Sequence, residues 1–290
     1  MIRWRDGGGR RTLLALVGNP PAMIGLAILA VTLVAAASVP LLPLPDPLEQ
    51  DITRRLRPPF WGAQGTLNHP LGTDQVGRDV LTRIVWGARL TLPLSLMAAT
   101  VSAIYGTVLG LVAAYAGGWV DSLIMRTADT QFAFPFIVIA IAIIAVVGTS
   151  IPTLAVTLSL WGWVSYARVA RGDALATRER EYVWAAVAIG AAPPRVLFRH
   201  ILPNVLSPLI VIWTFTIAQI VLLESGLSFL GLGVQPPAPS WGNMLADGRS
   251  HISNAWWLGT FPGVAIMLSV LAVNLVGDAV RDILDPRFKT

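Results

Sequence analysis

Residues 90–115 read LTLPLSLMAATVSAIYGTVLGLVAAY, twenty-six positions without an Asp, Glu, Lys or Arg. A helix that crosses a bilayer needs about 20 consecutive, mostly apolar residues. Inside hydrocarbon, every backbone polar group must also find its partner within the protein, which a helix provides. The stretch therefore predicts an all-α integral membrane protein. Five further apolar segments lie on either side of it: Ala22–Leu42, Leu123–Val147, Pro152–Ala167, Leu206–Leu230 and Trp256–Gly277. The first and last of these also lack charged residues between their ends. Leu123–Val147 starts in a helix that carries Asp121, Arg126 and Asp129, and Pro135 predicts a kink within it. Pro152–Ala167 is the shortest. The expectation is six transmembrane helices.

Composition agrees. Of 290 residues, 54% are hydrophobic and 13% charged, against about 25% charged in ordinary soluble domains. The mean hydropathy is +0.66. The absence of Cys excludes disulfides and thiolate metal sites. The net charge of +5 does not point to nucleic acid, because the arginines sit at the ends of apolar segments, where they orient a chain in a membrane.

That orientation can be read. With the N-terminus inside, the inner segments hold 14 of the 21 basic residues. These are Arg3, Arg5, Arg10 and Arg11, then Arg126, the six arginines of 168–205, and Arg281, Arg287 and Lys289. Six of the remaining seven lie in the long 43–89 loop, and long loops obey the rule weakly. Both termini are therefore expected inside. The organisation is a cytoplasmic N-tail (1–21), a first transmembrane helix (22–42) and an extracytoplasmic loop (43–89). A core of 90–280 with an inner loop at 168–205 and a C-tail (281–290) follow. Ala35, Ala36 and Ala37 could form a signal-peptide cleavage site, but the apolar run before them is long for one, and it reads as an uncleaved anchor.

The hydrophilic segments are 43–89, 168–205 and 231–255. Within 168–205 the pattern predicts helix, turn, helix. The first helix runs from Arg171 to Gly190, a glycine suited to a helix end. Pro193 and Pro194 restart a second, and Pro203 closes it. Inside this polar loop lies an apolar run, YVWAAVAI, at 182–189. It is too short to span a bilayer, and something must cover it. The cover is either the chain's own helices or a groove on another protein.

At this loop the sequence resembles a known family. Residues 181–190 (EYVWAAVAIG), followed by 199–204 (RHILPN), are similar to the EAA loop of ABC-importer permeases. That pattern is Glu-Ala-Ala, three residues, Gly, nine residues, Ile, one residue, Leu-Pro. Ala185, Ala186, Gly190, Leu202 and Pro203 fall in register, while Trp184 stands in the Glu position and His200 in the Ile position. Glu181 lies one helical turn before Trp184, on roughly the same face. Residues 69–79 (HPLGTDQVGRD) with 87–89 (GAR) resemble the segment before the second span of dipeptide, oligopeptide and nickel permeases. Residues 227–233 (LSFLGLG), then 240–242 (SWG), resemble the segment after their fifth span. The likeness covers about 22–285 and is to the second, C-type permease subunit.

The resemblance implies a non-catalytic translocation subunit of the bacterial inner membrane, working by alternating access on dipeptides or oligopeptides. Nickel chelates and glutathione are alternative cargoes. It also implies a set of partners: a sister permease, two ATP-binding subunits that carry ATP and Mg, an extracytoplasmic binding protein, and lipid. The ATPase-coupling residues would be Glu181, Tyr182, Ala185, Ala186, Ile189, Gly190, Leu202 and Pro203. The residues themselves agree that hydrolysis lies elsewhere. A phosphate-binding loop of the Gly-x-x-x-x-Gly-Lys kind needs a lysine, and the only one, Lys289, is the penultimate residue.

Other candidates have plainer readings. Thr73 or Asp74 can cap a helix start and Asp79 suits a helix N-terminus; the alternative for 69–79 is a part in contacting the extracytoplasmic binding protein or shaping the outer gate. His69 has no second metal ligand near it, so no metal site is expected. Asp121, Arg126 and Asp129 are spaced to pair with one another along a helix, and Arg168 and Arg171 read as orientation anchors. Glu224 is the one acidic residue deep in an apolar segment. An intramembrane carboxylate costs about 2.5–3.5 kcal/mol on insertion scales and is a functional candidate by default. It could line a pore or gate, or sit at the outer interface. An ion-coupled carrier would place several such groups at midplane, and this sequence offers one.

Overall fold

The computed structural model describes residues 16, 18–41 and 44–284. The N-tail arginines Arg3 to Arg11, and Arg287 and Lys289, lie outside the described residues. The described part is helical. Helix α1 (Pro20–Ser38) starts at Asn19, whose side chain accepts the Ala22 N–H at 3.2 Å, and Pro20 and Pro21 occupy its first turn. Helix α2 (Val80–Ala116) is 37 residues long, ten residues longer at its start than the apolar run alone predicts. The reason is Asp79, whose carboxylate caps the Thr82 N–H at 2.7 Å. Helices α3 (Gly118–Ala133), α4 (Phe136–Val147) and α5 (Ile151–Arg178) follow. Then come the short α6 (Glu181–Ala188) and α7 (Pro193–Val196), the long α8 (Leu202–Phe229), α9 (Trp241–Arg249) and α10 (Trp257–Leu284).

Four expectations change. The segment 123–147 is not one kinked span. Helices α3 and α4 meet at 94°, because Pro135 lacks an N–H and holds Phe134 in an extended conformation (φ −108°, ψ 136°). Among the described residues, four helices are long and apolar enough to cross a membrane, or five if the bent pair counts as one. The segment expected as the fourth span lies in α5, which is long enough at 28 residues but outside that apolar set. Its C-terminal half carries Arg168, Arg171 and Asp173, and much of its length is buried against neighbouring helices.

The third change concerns Pro203, which does not end a helix. Leu197–Ile201 forms a wide π turn in which the Leu202 N–H reaches back to the Leu197 carbonyl, and the helix runs on from Pro193 to Phe229. The first helix of the inner loop is also split. Helix α5 stops at Arg178, and α6 starts anew after Arg180 adopts extended backbone (φ −80°, ψ 141°).

Helices α2 and α5 form the centre of the fold. They approach so closely that a Cβ at Gly106 would lie 2.3 Å from the Trp163 carbonyl, and one at Gly110 would lie 2.4 Å from the Ala167 carbonyl. Ser102 donates across the same contact to the Ser159 carbonyl at 2.5 Å. Helix α8 packs on both, α10 packs on α8, and α1 lies along α10. Segments 44–79 and 231–256 gather at one end of the bundle, and α6, α7 and the start of α8 at the other. Helix α9, inside a segment expected only to be hydrophilic, is started by a reciprocal capping box. Ser240 Oγ accepts the Asn243 N–H at 3.2 Å, and Asn243 Oδ1 accepts the Ser240 N–H at 3.0 Å.

Candidate functional site

Helix α6 is only eight residues long, and its two faces differ. Val183 and Ala186, three apart, are buried at 1% and 7% exposure. Val183 packs into a cluster at this end of the bundle that includes Leu111, Tyr166, Ala174, Val196 and Ile201. Tyr182, Trp184, Val187 and Ile189 point outward at 38%, 63%, 57% and 86% exposure, and Phe198 beyond the turn is at 63%. Ala185 is also exposed, as are Glu181 and Pro203, while Leu202 is half-buried. A cleft of about 430 Å³ lies alongside, lined by Arg178, Glu179, Val183, Trp184, Val187 and Pro193.

The turn after α6 is a Schellman motif. Gly190 has φ +83°. Its N–H reaches the Val187 carbonyl at 2.9 Å, and the Ala191 N–H reaches the Ala186 carbonyl at 3.0 Å. The far limb of the loop is pinned by Asn204, whose Nδ2 donates to the His200 carbonyl at 2.7 Å and to the Tyr182 hydroxyl at 3.1 Å. The rings of Tyr182 and His200 lie 6.4 Å apart. Sequence reasoning brought Glu181 to Gly190 together with Leu202 and Pro203. It missed Asn204 as the bridge and Val183 as the anchor, although the spacing of Val183 and Ala186 is the one that marks a buried helix face.

The charges beside this loop pair across helices rather than along one. Arg171 binds Asp121 with two bonds of 2.5 Å, and Arg168 binds Asp129 at 2.5 Å. These pairs tie α3 to α5 and replace the expected pairing within α3. The planar guanidinium can meet both oxygens of a carboxylate on a facing helix, which Arg126 on the same helix does not do here.

At the other end, the stretch 69–79 forms a buried polar knot. Asp74 accepts the backbone N–H groups of Val76 (3.0 Å) and Arg78 (2.9 Å), the Arg78 Nε (2.6 Å), and the Arg83 guanidinium. Asp247 on α9 approaches the same two arginines at 3.7 and 3.6 Å. Asp79 caps α2 and also meets His69 Nδ1 at 3.0 Å. Thr73 is buried and bonded within the loop, its hydroxyl accepting the Arg57 N–H at 2.9 Å. The indoles of Trp241 and Trp257 donate to the Ile84 and Thr73 carbonyls at 2.9 and 3.2 Å. Nearby, on the exposed part of the same loop, the Thr53 hydroxyl holds the Asp51 carboxyl below the usual carboxylate range.

Glu224 has no exposed surface. The Ser228 hydroxyl donates to its Oε1 at 2.8 Å, and the Ser225 hydroxyl lies 3.5 Å from Oε2. Ser228 in turn accepts the Val234 N–H at 3.2 Å, so this carboxylate is wired to the loop after α8. That loop comes so near that a Cβ at Gly233 would lie 1.9 Å from Ser228 Oγ. Glu224 is therefore enclosed within the chain and does not face open space. Among the described residues no group of three His, Asp or Glu side chains is placed to hold a metal ion.

Comparison with known proteins places the chain. Residues 106–290 match the family described as binding-protein-dependent transport system inner membrane component. The chain is 41% identical over 281 residues to the dipeptide transport system permease protein DppC of Alkalihalophilus pseudofirmus, covering 97% of this chain and 90% of that protein. It is 40% identical to the di/tripeptide transport system permease protein DppC of Pseudomonas aeruginosa, covering 93% and 89%. It is 42% identical over 222 residues to the glutathione transport system permease protein GsiD of Pectobacterium atrosepticum, covering 77% and 74%. Among solved structures, an inward-facing form of the MetNI methionine ABC transporter aligns with a TM-score of 0.58 at 19% identity, covering 69% of this chain and 96% of that one. At that identity the likeness speaks for the fold.

Proposed function

The chain belongs to the family of binding-protein-dependent transport system inner membrane components, and from that premise we propose that it forms half of the translocation pathway for dipeptides or oligopeptides. It is a multi-pass inner-membrane transport component, the permease subunit of an ABC importer. The peptide cargo rests on the names of its relatives at about 40% identity. Glutathione, itself a small peptide, is the second reading, supported by the 42% identity to a glutathione permease.

The partners follow from the proposal. A sister permease completes the pathway, two ATP-binding subunits carry ATP and Mg, and an extracytoplasmic binding protein delivers the solute. The observation that carries the link to the ATPase is the apolar surface left uncovered around α6. Tyr182, Trp184 and Val187 on the helix, and Ile189 at its end, are exposed on either side of the buried Val183 and Ala186, on a helix too short to enter a membrane. A short helix that carries exposed apolar side chains in this way fits a groove on another protein. Its anchor Val183, packed in one cluster with residues of α2, α5 and α8, would make any push on α6 a push on the ends of those helices. ATP binding, by drawing the two ATPases together, would then bias the helices between two arrangements. Glu224, locked with Ser228 against the 231–240 loop, belongs to the outer gate.

The test is the assembled importer. Ala185→Asp places a carboxylate on a surface that is exposed in the chain alone, so the chain itself should remain in the membrane. Co-purification of the ATPases and uptake of Ala-Ala should both be lost. Retention of both would show that α6 is not the docking element.

A further inference from the structure

A groove of about 370 Å³ runs between α8 and α10. Its walls are apolar at Phe215, Leu222 and Val270, but Gln219, Asn274 and Asp278 also line it. Gln219 and Asp278 are exposed and Asn274 is half-buried. None of the three side chains makes a hydrogen bond or ion pair among the described residues. Asn274 and Asp278 are four apart and share a face of α10, and Gln219 faces them from α8. A Cβ at Gly277 would lie 2.7 Å from Thr214 Oγ1, so the two helices touch at the base of the groove.

Both helices are among those apolar enough to cross a membrane. Two carboxamides left unbonded in hydrocarbon carry a heavy cost, and Asp278, one residue past the apolar segment 256–277, adds a carboxylate at its end, so the set does not face lipid tails. Polar side chains at such depth face water or another protein. The carboxylate at the inner end and the amides above it offer one acceptor charge and paired donors and acceptors. That set complements an ammonium group followed by peptide bonds.

We propose that this groove is a stretch of the wall of the translocation pathway, in which Asp278 receives the α-ammonium of a passing peptide and Asn274 and Gln219 exchange hydrogen bonds with its backbone. The proposal rests on the reading of the chain as a peptide permease. Each contact would be brief and none would be selective for side chains, because the recognised groups are those every peptide shares.

The experiment uses the assembled importer in inverted membrane vesicles. The chain has no Cys of its own, so Gln219→Cys and Asn274→Cys each introduce one reporter thiol here, in a complex whose other subunits have been freed of Cys. Val31→Cys on α1, 70% exposed in a wholly apolar helix, is the lipid-facing control. A small cationic methanethiosulfonate should modify the two groove thiols at least tenfold faster than the control, in the nucleotide-free or the ATP-trapped state. Saturating Ala-Ala should slow that reaction at least threefold. Asp278→Asn should lower the maximal rate of Ala-Ala uptake several-fold while leaving the amount of assembled complex unchanged. Groove thiols as inert as the control in both states would overturn the proposal and assign the groove to a sister-subunit contact. Reactive thiols that Ala-Ala does not protect would overturn the peptide contact. Absence of Ala-Ala uptake by the unsubstituted complex would instead count against the peptide cargo, since thiol reactivity reports on the groove whatever the solute.

Discussion

The two ends of this molecule are held by different means. At one end, the outer one in the orientation expected from the arginines, Asp74, Arg78 and Arg83 share a buried network that the half-exposed Asp247 approaches, two tryptophan indoles bond to backbone carbonyls, and Glu224 is enclosed by serines. At the inner end, α6 is anchored by Val183 and Ala186 and otherwise leaves large apolar side chains uncovered. One end ties its buried charges to one another, while the other leaves large apolar side chains exposed, which the proposed docking would cover.

The sharpest way to break the comparison is to remove the centre of the outer network. Asp74→Ala leaves Arg78 and Arg83 buried at 9% and 3% exposure without their shared acceptor. Breaking a buried pair from one side costs about 3–5 kcal/mol, a large part of the roughly 5–15 kcal/mol that holds a protein together. The expected result is a protein that fails to accumulate in membranes, read by immunoblot of the membrane fraction. Wild-type accumulation and melting in detergent would show that the outer end does not depend on the network.

The matching change at the inner end should spare the chain and lose the function. Gly190 sits at φ +83° with no atom within 4 Å of a would-be Cβ. Gly190→Val therefore meets no clash, only the strain of a β-branched residue in a left-handed conformation, about 1–2 kcal/mol or somewhat more. That strain can be relieved by re-aiming the turn toward Pro193. Membrane levels should stay within about twofold of wild type, with uptake abolished and the ATPases no longer co-purifying. A variant that is missing from the membrane would show that the inner loop is as integral to the fold as the outer knot.

A smaller effect is expected within the outer end itself. Ser228 joins Glu224 to the Val234 N–H through one hydroxyl. Ser228→Ala removes the bond to Glu224 Oε1 and leaves the Val234 N–H without its acceptor, about 1–3 kcal/mol. It should lower the melting temperature while leaving assembly detectable. An unchanged melting temperature would mean that the loop after α8 is held by packing alone.

Much of this was legible in the sequence, and the parts that were not share a cause. The apolar segments announced a membrane fold because hydrocarbon imposes one rule on every residue along a span. Gly190 announced its turn because only glycine is at ease there. What could not be read were events that depend on a distant neighbour. Pro203 looks like a stop, but a π turn set by residues 197–201 carries the helix past it. Asp121 and Asp129 look paired to Arg126, but Arg171 and Arg168 lie 50 and 39 residues away. Helix α5 looks too short because half of it is buried by other helices rather than by lipid. The motif at 69–79 suggested helix caps, and Asp79 is one. The approach of Asp247 to Arg78 and Arg83, more than 160 residues away, carries no local signature.

The smallest expected effect tests how loosely the inner end is held. Arg168 and Asp129 are joined at 2.5 Å, but their side chains are 44% and 65% exposed. Arg168 also lies over the Phe132 ring at 4.7 Å. An exposed pair gains little because water and salt screen it and two long side chains lose freedom, leaving about 0.2–1 kcal/mol. The ring contact adds about 0.5–1 kcal/mol at such an exposed site. A double-mutant cycle of Arg168→Gln and Asp129→Asn isolates the pair from the ring, because the ring term is present in both Arg168 backgrounds and cancels. Its coupling energy in detergent should stay below about 1 kcal/mol and shrink further at about 1 M salt, where the screening length falls to about 3 Å. A coupling of about 3 kcal/mol or more, insensitive to salt, is the size seen for buried pairs. That result would mean the inner rim is clamped as firmly as the outer knot, and the contrast between the two ends would have to rest on α6 alone.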